Sequence, residues 1–385
     1  MILYHLGMQK IVVVMPAYNE ARNLELMIPE LFDKEFPKIT GAEMHLLIVD
    51  DYSPDKSGDL IKELQKEYKN LHLLQKNKEG LGWAYIAGFK KAIELGADAV
   101  MEMDADFQHP TRFIKPMVET YLAGADYCIG SRYIKGGSIP KEWAFFRKAI
   151  SYFGNLFIRL VLFRPSLHDL TTGFRLTRVK GVLDQIDLDH LMEPTRFAYK
   201  VDLLYQSIKL SKKTVEVPLE FASRTKETSK FNPKEMISTF KVAIILGIKD
   251  KIRFIKFGTV GFIGYLVNAL FLEFFSKGGF SATLSALFST ELAIISNFIL
   301  NNLWTFSEVK ITKPIQILFS FLKFNLSSGG ALLIQSVVIG GSVYLFGDTR
   351  SVRQIALLVG MPLVMSFNYI MYNVFIWKTW GKKKT

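Results

Sequence analysis

Residues 98–110 read DAVMEMDADFQHP. The stretch 99–103 is apolar except for Glu102 and reads as a strand, and two carboxylates, Asp104 and Asp106, stand one residue apart where it ends. Side chains of an extended chain alternate faces, so both carboxylates and the amide of Gln108 point the same way. Hard oxygen donors in that series suit Mg²⁺ or Mn²⁺, and an ion held there can bridge the phosphates of a nucleotide leaving group. For an isolated Asp-x-Asp the bland reading, two acids capping the helix after Pro110, is the better one. Glu102 shares the phase of the pair, either supporting it from behind or facing outward at a sheet edge. His109 reads as a structural hydrogen-bonding residue rather than a metal ligand.

On the N-terminal side, apolar β-branched or aliphatic runs at 10–15 (KIVVVM), 44–49 (MHLLIV) and 71–75 alternate with helical patterns at 19–32, 59–68 and 82–95. Strands alternating with helices argue for an α/β fold with an open, mostly parallel sheet. Ligands bind beyond the carboxyl ends of strands in such sheets, and polar clusters follow three of these ends. In PAYNE (16–20), Pro16 ends strand pairing, Tyr18 offers a face for a base, and Glu20 can accept hydrogen bonds from a base or ribose. In DDYSPDKSGD (50–59), Asp50 or Asp51 can hold ribose hydroxyls or base nitrogens. NKEGLGWAYIAGF (77–89) brings two glycines into a helix start, where backbone N–H groups suit phosphate. Each alone is an ordinary turn. With the acid pair at a fourth strand end, the coincidence points to a site for a nucleotide diphosphate and a metal.

The middle section, 127–235, contains GSRY (130–133), a basic–aromatic helical segment at 141–163, DLTTGFR (169–175) and a strand-like VEVPLEF (215–221). Basic residues at 132, 147, 148, 224, 226 and 230 are many for a part of the chain with net charge +3, and Arg is the usual fork for a phosphate. Solvated surface or an anionic-lipid footprint is an equal reading for Lys148, Lys226 and Lys230. Cys128 is the only cysteine. It excludes an intrachain disulfide and a cysteine-rich zinc site, and its apolar neighbours predict burial.

From Lys251 onward the chain holds 13 Lys+Arg and 4 Asp+Glu in 135 residues. That apolar part yields four candidate spans, at 254–276, 281–303, 324–346 and 354–377, each long enough for a hydrocarbon core of about 30 Å. Lysines gather before the first span, between the second and third, and at the end, so the positive-inside rule expects the N-terminal domain on the cytoplasmic side of the cell membrane. The apolar stretch 11–15 is too short for a signal segment. Residues 237–248 read as an amphipathic helix lying in the membrane plane. The expected organisation is therefore 1–235 catalytic domain, 236–253 interface helices and 254–385 membrane domain. The pI near 9.4 reflects charge beside hydrophobic helices, which favours anionic lipid over nucleic acid as partner. Glu273, Glu291 and several asparagines within the spans read mainly as interhelical hydrogen-bonding groups, with a functional role as the alternative.

Taken in order, PAYNE, the DD-S-PD series, NKEGLG, DADFQHP, GSRY and D-x-x-T-G-F-R resemble the polyprenol-phosphate glycosyltransferases. These are inverting family-two enzymes of the GT-A fold, typified by dolichol-phosphate mannose synthase. The resemblance spans about residues 10–235, and the four-helix tail resembles the GtrA-like membrane domain of some members. It implies that Pro16, Tyr18, Glu20, Asp51, Lys78, Gly80 and Leu81 hold the nucleotide, and that Asp104, Asp106 and Gln108 hold Mg²⁺ or Mn²⁺. It further implies that Arg132, Arg147 and Ser151 bind the acceptor phosphate, that Arg224 steadies donor or lipid phosphate, and that Asp169 sits near the sugar. The implied reaction moves one hexose from a nucleotide sugar to polyprenyl or dolichyl phosphate, with mannose from GDP-mannose favoured and glucose from UDP-glucose the alternative. Two positions depart from the family pattern: Thr172 stands for a serine, and Lys226–Glu227 replace a glycine-bearing loop. No Q-x-x-R-W motif of processive synthases is present, so single transfer is preferred. A lipid-linked sugar translocator or membrane scaffold with a nucleotide-sensing domain is the reading from a different class.

Overall fold

Seven strands form one mixed sheet in the order β3-β2-β1-β4-β6-β5-β7. They are β1 (Gln9–Ala17), β2 (Ala42–Asp50), β3 (Leu71–Gln75), β4 (Ala99–Glu102), β5 (Tyr127–Ser131), β6 (Arg175–Arg178) and β7 (Thr214–Pro218). This is a computed structural model; residues 8–223 and 233–379 are described, and the chain divides into two units, Met1–Ile248 and Lys249–Thr385.

In the first unit the sheet is covered on both faces, which is why β1 reads as an unbroken apolar run rather than an alternating one. Ile11, Val13 and Met15 enter one core with Leu24, Met27 and Ile28 of α1 (Ala21–Pro29) and Ile114, Met117 and Val118 of α4 (Ile114–Leu122). Val12 and Val14 enter the other, with Ala84, Tyr85 and Phe89 of α3 (Leu81–Glu94) and Tyr199 and Leu203 of α6 (Tyr199–Leu210). This unit also holds α2 (Ser57–Leu64) and α5 (Phe145–Val161).

The parallel strands β3, β2, β1 and β4 match the expected α/β pattern, but β6 runs antiparallel to both β4 and β5. Its sequence, RLTR, is four residues long with a charge at each end, and Arg175 is fully buried, so the hydrophobic pattern gave no strand signal. The expected helix at 19–32 ends as an α-helix at Pro29 and continues as a wider π-turn, Glu30–Glu35. A proline inside the helix has no N–H for the regular ladder. Cys128 is buried in β5, and burial pushes its thiol up to about 12.

The segment 237–248 is not a separate helix. It lies within one continuous helix, α7 (Pro233–Lys277). Val242, Ala243 and Leu246 are buried with Ile158, Leu162 and Leu204 of the first unit, while Ile237, Ile244, Ile245 and Ile248 are exposed.

Among the described residues the second unit holds four helical stretches long and apolar enough to cross a membrane: Lys251–Lys277, Ala282–Thr305, Pro314–Phe346 and Arg350–Ile376. The third starts ten residues before the expected 324, because Pro314 suits a first helical turn and exposed Lys323 is carried within the helix. The polar residues within these helices make hydrogen bonds in several places. Asn268 donates to Thr290, Ser327 donates to Asn368, and Asn302 bridges the N–H and C=O of Ile311 while accepting from the Trp377 indole. Glu273 pairs with Lys277 at 2.9 Å.

Candidate active site

The chain leaves β1 toward β2 on one side, while β4 lies on the other. Beyond their carboxyl ends the connections diverge, which is where an α/β sheet opens a crevice. A cleft of about 440 Å³ lies there, lined by Pro16, Tyr18, Glu20, Asp51, Lys78, Gly80, Leu81, Asp104, Asp106, Gln108 and Arg132, with Thr171, Thr172 and Gly173. Residues that follow five separate strands, β1 to β5, thus meet in one space.

At the nucleotide end the structure separates the two adjacent aspartates. Asp50 accepts hydrogen bonds from the Ser53 N–H at 3.1 Å and the Gln75 amide at 3.0 Å, so it braces the turn. Asp51 lines the cleft, and its Oδ1 is buried with no hydrogen-bond partner among the described residues. Burial raises its pKa, against the lowering effect of Lys76 and Lys78. The Lys78 ammonium lies 3.1 Å from the centre of the Tyr18 ring, a cation–π contact at the same end. Gly80 has φ +122°, and a side chain there would meet the Thr195 backbone at 2.6 Å. Only glycine fits that entry into α3.

The acid pair differs in one respect from expectation. β4 ends at Glu102, so Asp104 and Asp106 lie in the turn beyond it rather than on the pleated strand. Both aspartates line the cleft all the same, and Ala105 between them is buried against the core and also borders the cleft. Asp106 Oδ1 accepts the Gln108 N–H at 3.0 Å, and Phe107 between them adopts φ +61°. Asp104 Oδ1 accepts the Tyr85 hydroxyl at 2.7 Å. Burial lowers the His109 pKa, and its neutral Nδ1 accepts the Asp104 N–H at 3.3 Å while the ring stacks on Phe174. Glu102 is buried in mid-sheet, not at an edge, and burial raises its pKa despite Lys200 at 3.8 Å. Among the described residues no group of three His, Cys, Asp or Glu forms a metal cage. Two carboxylates and an amide with no soft ligand fit a hard cation that takes its remaining oxygens from phosphate and water.

Arg132 lines the same cleft. Its Nε and Nη2 donate to Asp169 at 2.7 and 2.9 Å, its backbone N–H donates to the same carboxylate at 3.1 Å, and Nη2 also donates to Thr171 at 2.7 Å. Burial alone would raise the Asp169 pKa, but Arg132 and the surrounding N–H donors outweigh it and hold the carboxyl below its ordinary value. Asp169, expected near the sugar, is fully buried and does not line the cleft. The reason is this ion pair: both carboxylate oxygens face Arg132 and Thr171, so the residue fixes the arginine from behind.

The structure does not bring Arg147 and Ser151 into the cleft. Arg147 stacks on the Trp143 ring at 3.8 Å, and Ser151 hydrogen-bonds Tyr133 at 2.6 Å. Both sit on α5, whose Phe145, Phe146 and Phe153 are 87%, 71% and 64% exposed. Arg224 lies with Lys226 and Lys230 outside the described residues.

Sequence reasoning passed over Tyr85, Lys200 and Arg175. Lys200 is fully buried, with Nζ 3.8 Å from both Glu102 and Asp104, and Arg175 donates to its carbonyl at 2.6 Å. A lysine among the apolar residues of 199–205 was the available signal.

Residues 12–184 match the family model "Glycosyl transferase family 2", and residues 256–377 match "GtrA/DPMS, transmembrane domain". Over 375 residues the chain is 32% identical to a dolichol-phosphate mannosyltransferase of Pyrococcus furiosus, covering 96% of this chain and 100% of that one. It is 34% identical over 238 residues to a polyprenol monophosphomannose synthase of Mycolicibacterium smegmatis, covering 61% and 86%. A 224-residue match to an undecaprenyl-phosphate mannosyltransferase of Micrococcus luteus is 37% identical, covering 58% and 88%.

Proposed function

The chain belongs to the family-two glycosyltransferases, in the polyprenol-phosphate branch that carries a GtrA/DPMS membrane domain, and on that premise we propose that it transfers one mannosyl residue from GDP-mannose to a polyprenyl phosphate. The observation that carries this reading is the pairing, in one cleft, of an acid pair with an arginine locked in place by Asp169. The names of the three relatives support mannose and a polyprenyl phosphate acceptor.

Asp51, Tyr18 and Lys78 receive the base and ribose, while Gly80 lets the backbone approach the phosphates. Asp104, Asp106 and Gln108 would hold Mg²⁺ or Mn²⁺. Such an ion, when bound, offsets charge that grows on the departing diphosphate. Arg132 holds the attacking phosphate with its Nε–Nη2 edge already tied to Asp169, so little conformational freedom is lost on binding. A phosphate monoester is already largely dianionic near neutral pH, its second pKa being about 6, so the reaction needs no strong base. Attack on the anomeric carbon opposite the leaving group inverts configuration.

The chain is a membrane protein by its four apolar helices. The catalytic domain works on the cytoplasmic face, as the lysine clusters at 310, 313, 323 and 378–384 favour. The exposed aromatics of α5, beside Arg147 and Lys148, suit contact with the headgroup region from which a lipid phosphate emerges.

The test is a donor panel on purified protein with polyprenyl phosphate and labelled GDP-mannose or UDP-glucose. Label from GDP-mannose is expected in the lipid phase, at least about tenfold above UDP-glucose. Preference for UDP-glucose would overturn the sugar and nucleotide, and no labelled lipid from either would favour a non-enzymatic role.

A further inference from the structure

Asp104 has two oxygens with unequal surroundings. Oδ1 is fixed from below: the Tyr85 hydroxyl donates to it at 2.7 Å, and the Lys200 ammonium lies 3.8 Å away. Lys200 in turn rests 4.3 Å from the centre of the Tyr85 ring and 3.8 Å from Glu102, and all three residues are buried. Gly173 closes the remaining side: a Cβ there would stand 2.6 Å from Lys200 Nζ and 3.6 Å from Asp104 Oδ2. The ammonium is therefore closely enclosed, and Tyr85 and Lys200 both face Asp104 Oδ1, while Oδ2 lies 3.9 Å from His109 Nδ1.

We propose that Tyr85 and Lys200 are positioning residues that pin Asp104 Oδ1 and so present Oδ2 to a divalent cation in the cleft. The inference rests on the reading of Asp104 and Asp106 as the cation-holding pair, and it adds residues that do not themselves reach the cleft. Groups that orient a ligating carboxylate typically change metal affinity about 10–100-fold when removed. The Tyr85 ring stays a core residue in phenylalanine, so Tyr85→Phe removes the hydroxyl and little else. Lys200→Met, by contrast, leaves Glu102 without its cation and risks the fold.

The experiment is Mn²⁺ binding to full-length protein in detergent, read as free Mn²⁺ by electron paramagnetic resonance with GDP present, for wild type, Tyr85→Phe and Asp106→Ala. The expected result is saturable binding by wild type and about a tenfold weaker Kd in Tyr85→Phe. Thermal midpoint and GDP affinity without metal should stay unchanged, and turnover should recover at high Mn²⁺. Equal Mn²⁺ affinity in wild type and Tyr85→Phe would overturn the positioning role while leaving the cation reading intact. So would a matching loss of metal-free GDP affinity or of thermal midpoint, which marks a merely structural tyrosine. Failure of wild type to bind, or binding undiminished in Asp106→Ala, would overturn the cation reading and this inference with it.

Discussion

Asp106→Ala is expected to lower transfer by about 10³-fold or more, with membrane insertion and thermal midpoint unchanged. The side chain is half-buried in the cleft, and its Oδ1 accepts the Gln108 N–H within the same turn. Its removal therefore takes away a ligand oxygen and one local turn contact while sparing the core. Asp104→Ala should lose as much activity and also stability, because the Tyr85 hydroxyl would be left buried without its acceptor, at a cost of about 1–3 kcal/mol. The contrast between neighbours separates chemistry from folding. It is read by a labelled-lipid assay and thermal unfolding on the same preparations. Normal turnover in either variant would remove the acid pair from the mechanism.

Asp169→Asn is expected to raise KM for the polyprenyl phosphate by about 10²-fold and to destabilise the first unit by about 3–5 kcal/mol, as for a buried ion pair that loses one partner. The carboxylate accepts three bonds from Arg132 and two from Thr171, and an amide nitrogen would turn a donor toward the guanidinium. Metal-dependent GDP binding, assigned to other residues of the cleft, should be spared. The pH dependence has a definite sign. A carboxyl whose folded pKa is depressed contributes stability that is fully present above the unfolded value near 4, and that contribution is lost as pH falls through the folded value. Wild type should therefore lose stability in acid below about pH 4, and Asp169→Asn should show a flatter acid limb. Unchanged acceptor KM would mean that Arg132 holds its place without Asp169.

Both predictions concern residues the sequence brings forward, but for different reasons. The strand-end clusters are legible because a strand of buried aliphatics followed by polar residues, repeated along an α/β pattern, puts those residues at one edge. PAYNE, Asp51, the segment at 78–81 and the acid pair all line the cleft accordingly. Asp169 stands out as a residue but its role does not, since only the fold shows that Arg132 takes both its oxygens. Tyr85 and Lys200 are harder still. They lie within α3 and in the first turn of α6, where helical periodicity reads a tyrosine as core and a lysine as surface, and only the packing of both helices on one sheet face brings them to Asp104. The strand β6 was hidden by its two arginines, one of which is fully buried and hydrogen-bonded to the carbonyls of Lys200 and Leu170. In the membrane part, composition gives four spans. The continuity of α7 through residues 249–253 is not readable from it, because a cluster of cations marks an interface whether or not the helix breaks there.

The most direct test of the central claim is the configuration of the product. Donor GDP-mannose carries an α-linked sugar, and a single in-line displacement by the phosphate held at Arg132 gives a β-linked mannosyl phosphate on the lipid. The lipid made by purified protein from GDP-mannose and polyprenyl phosphate should show the one-bond carbon–proton coupling of a β-mannoside in its nuclear magnetic resonance spectrum. An α-linked product, or mannose found in no lipid phosphate at all, would contradict the account.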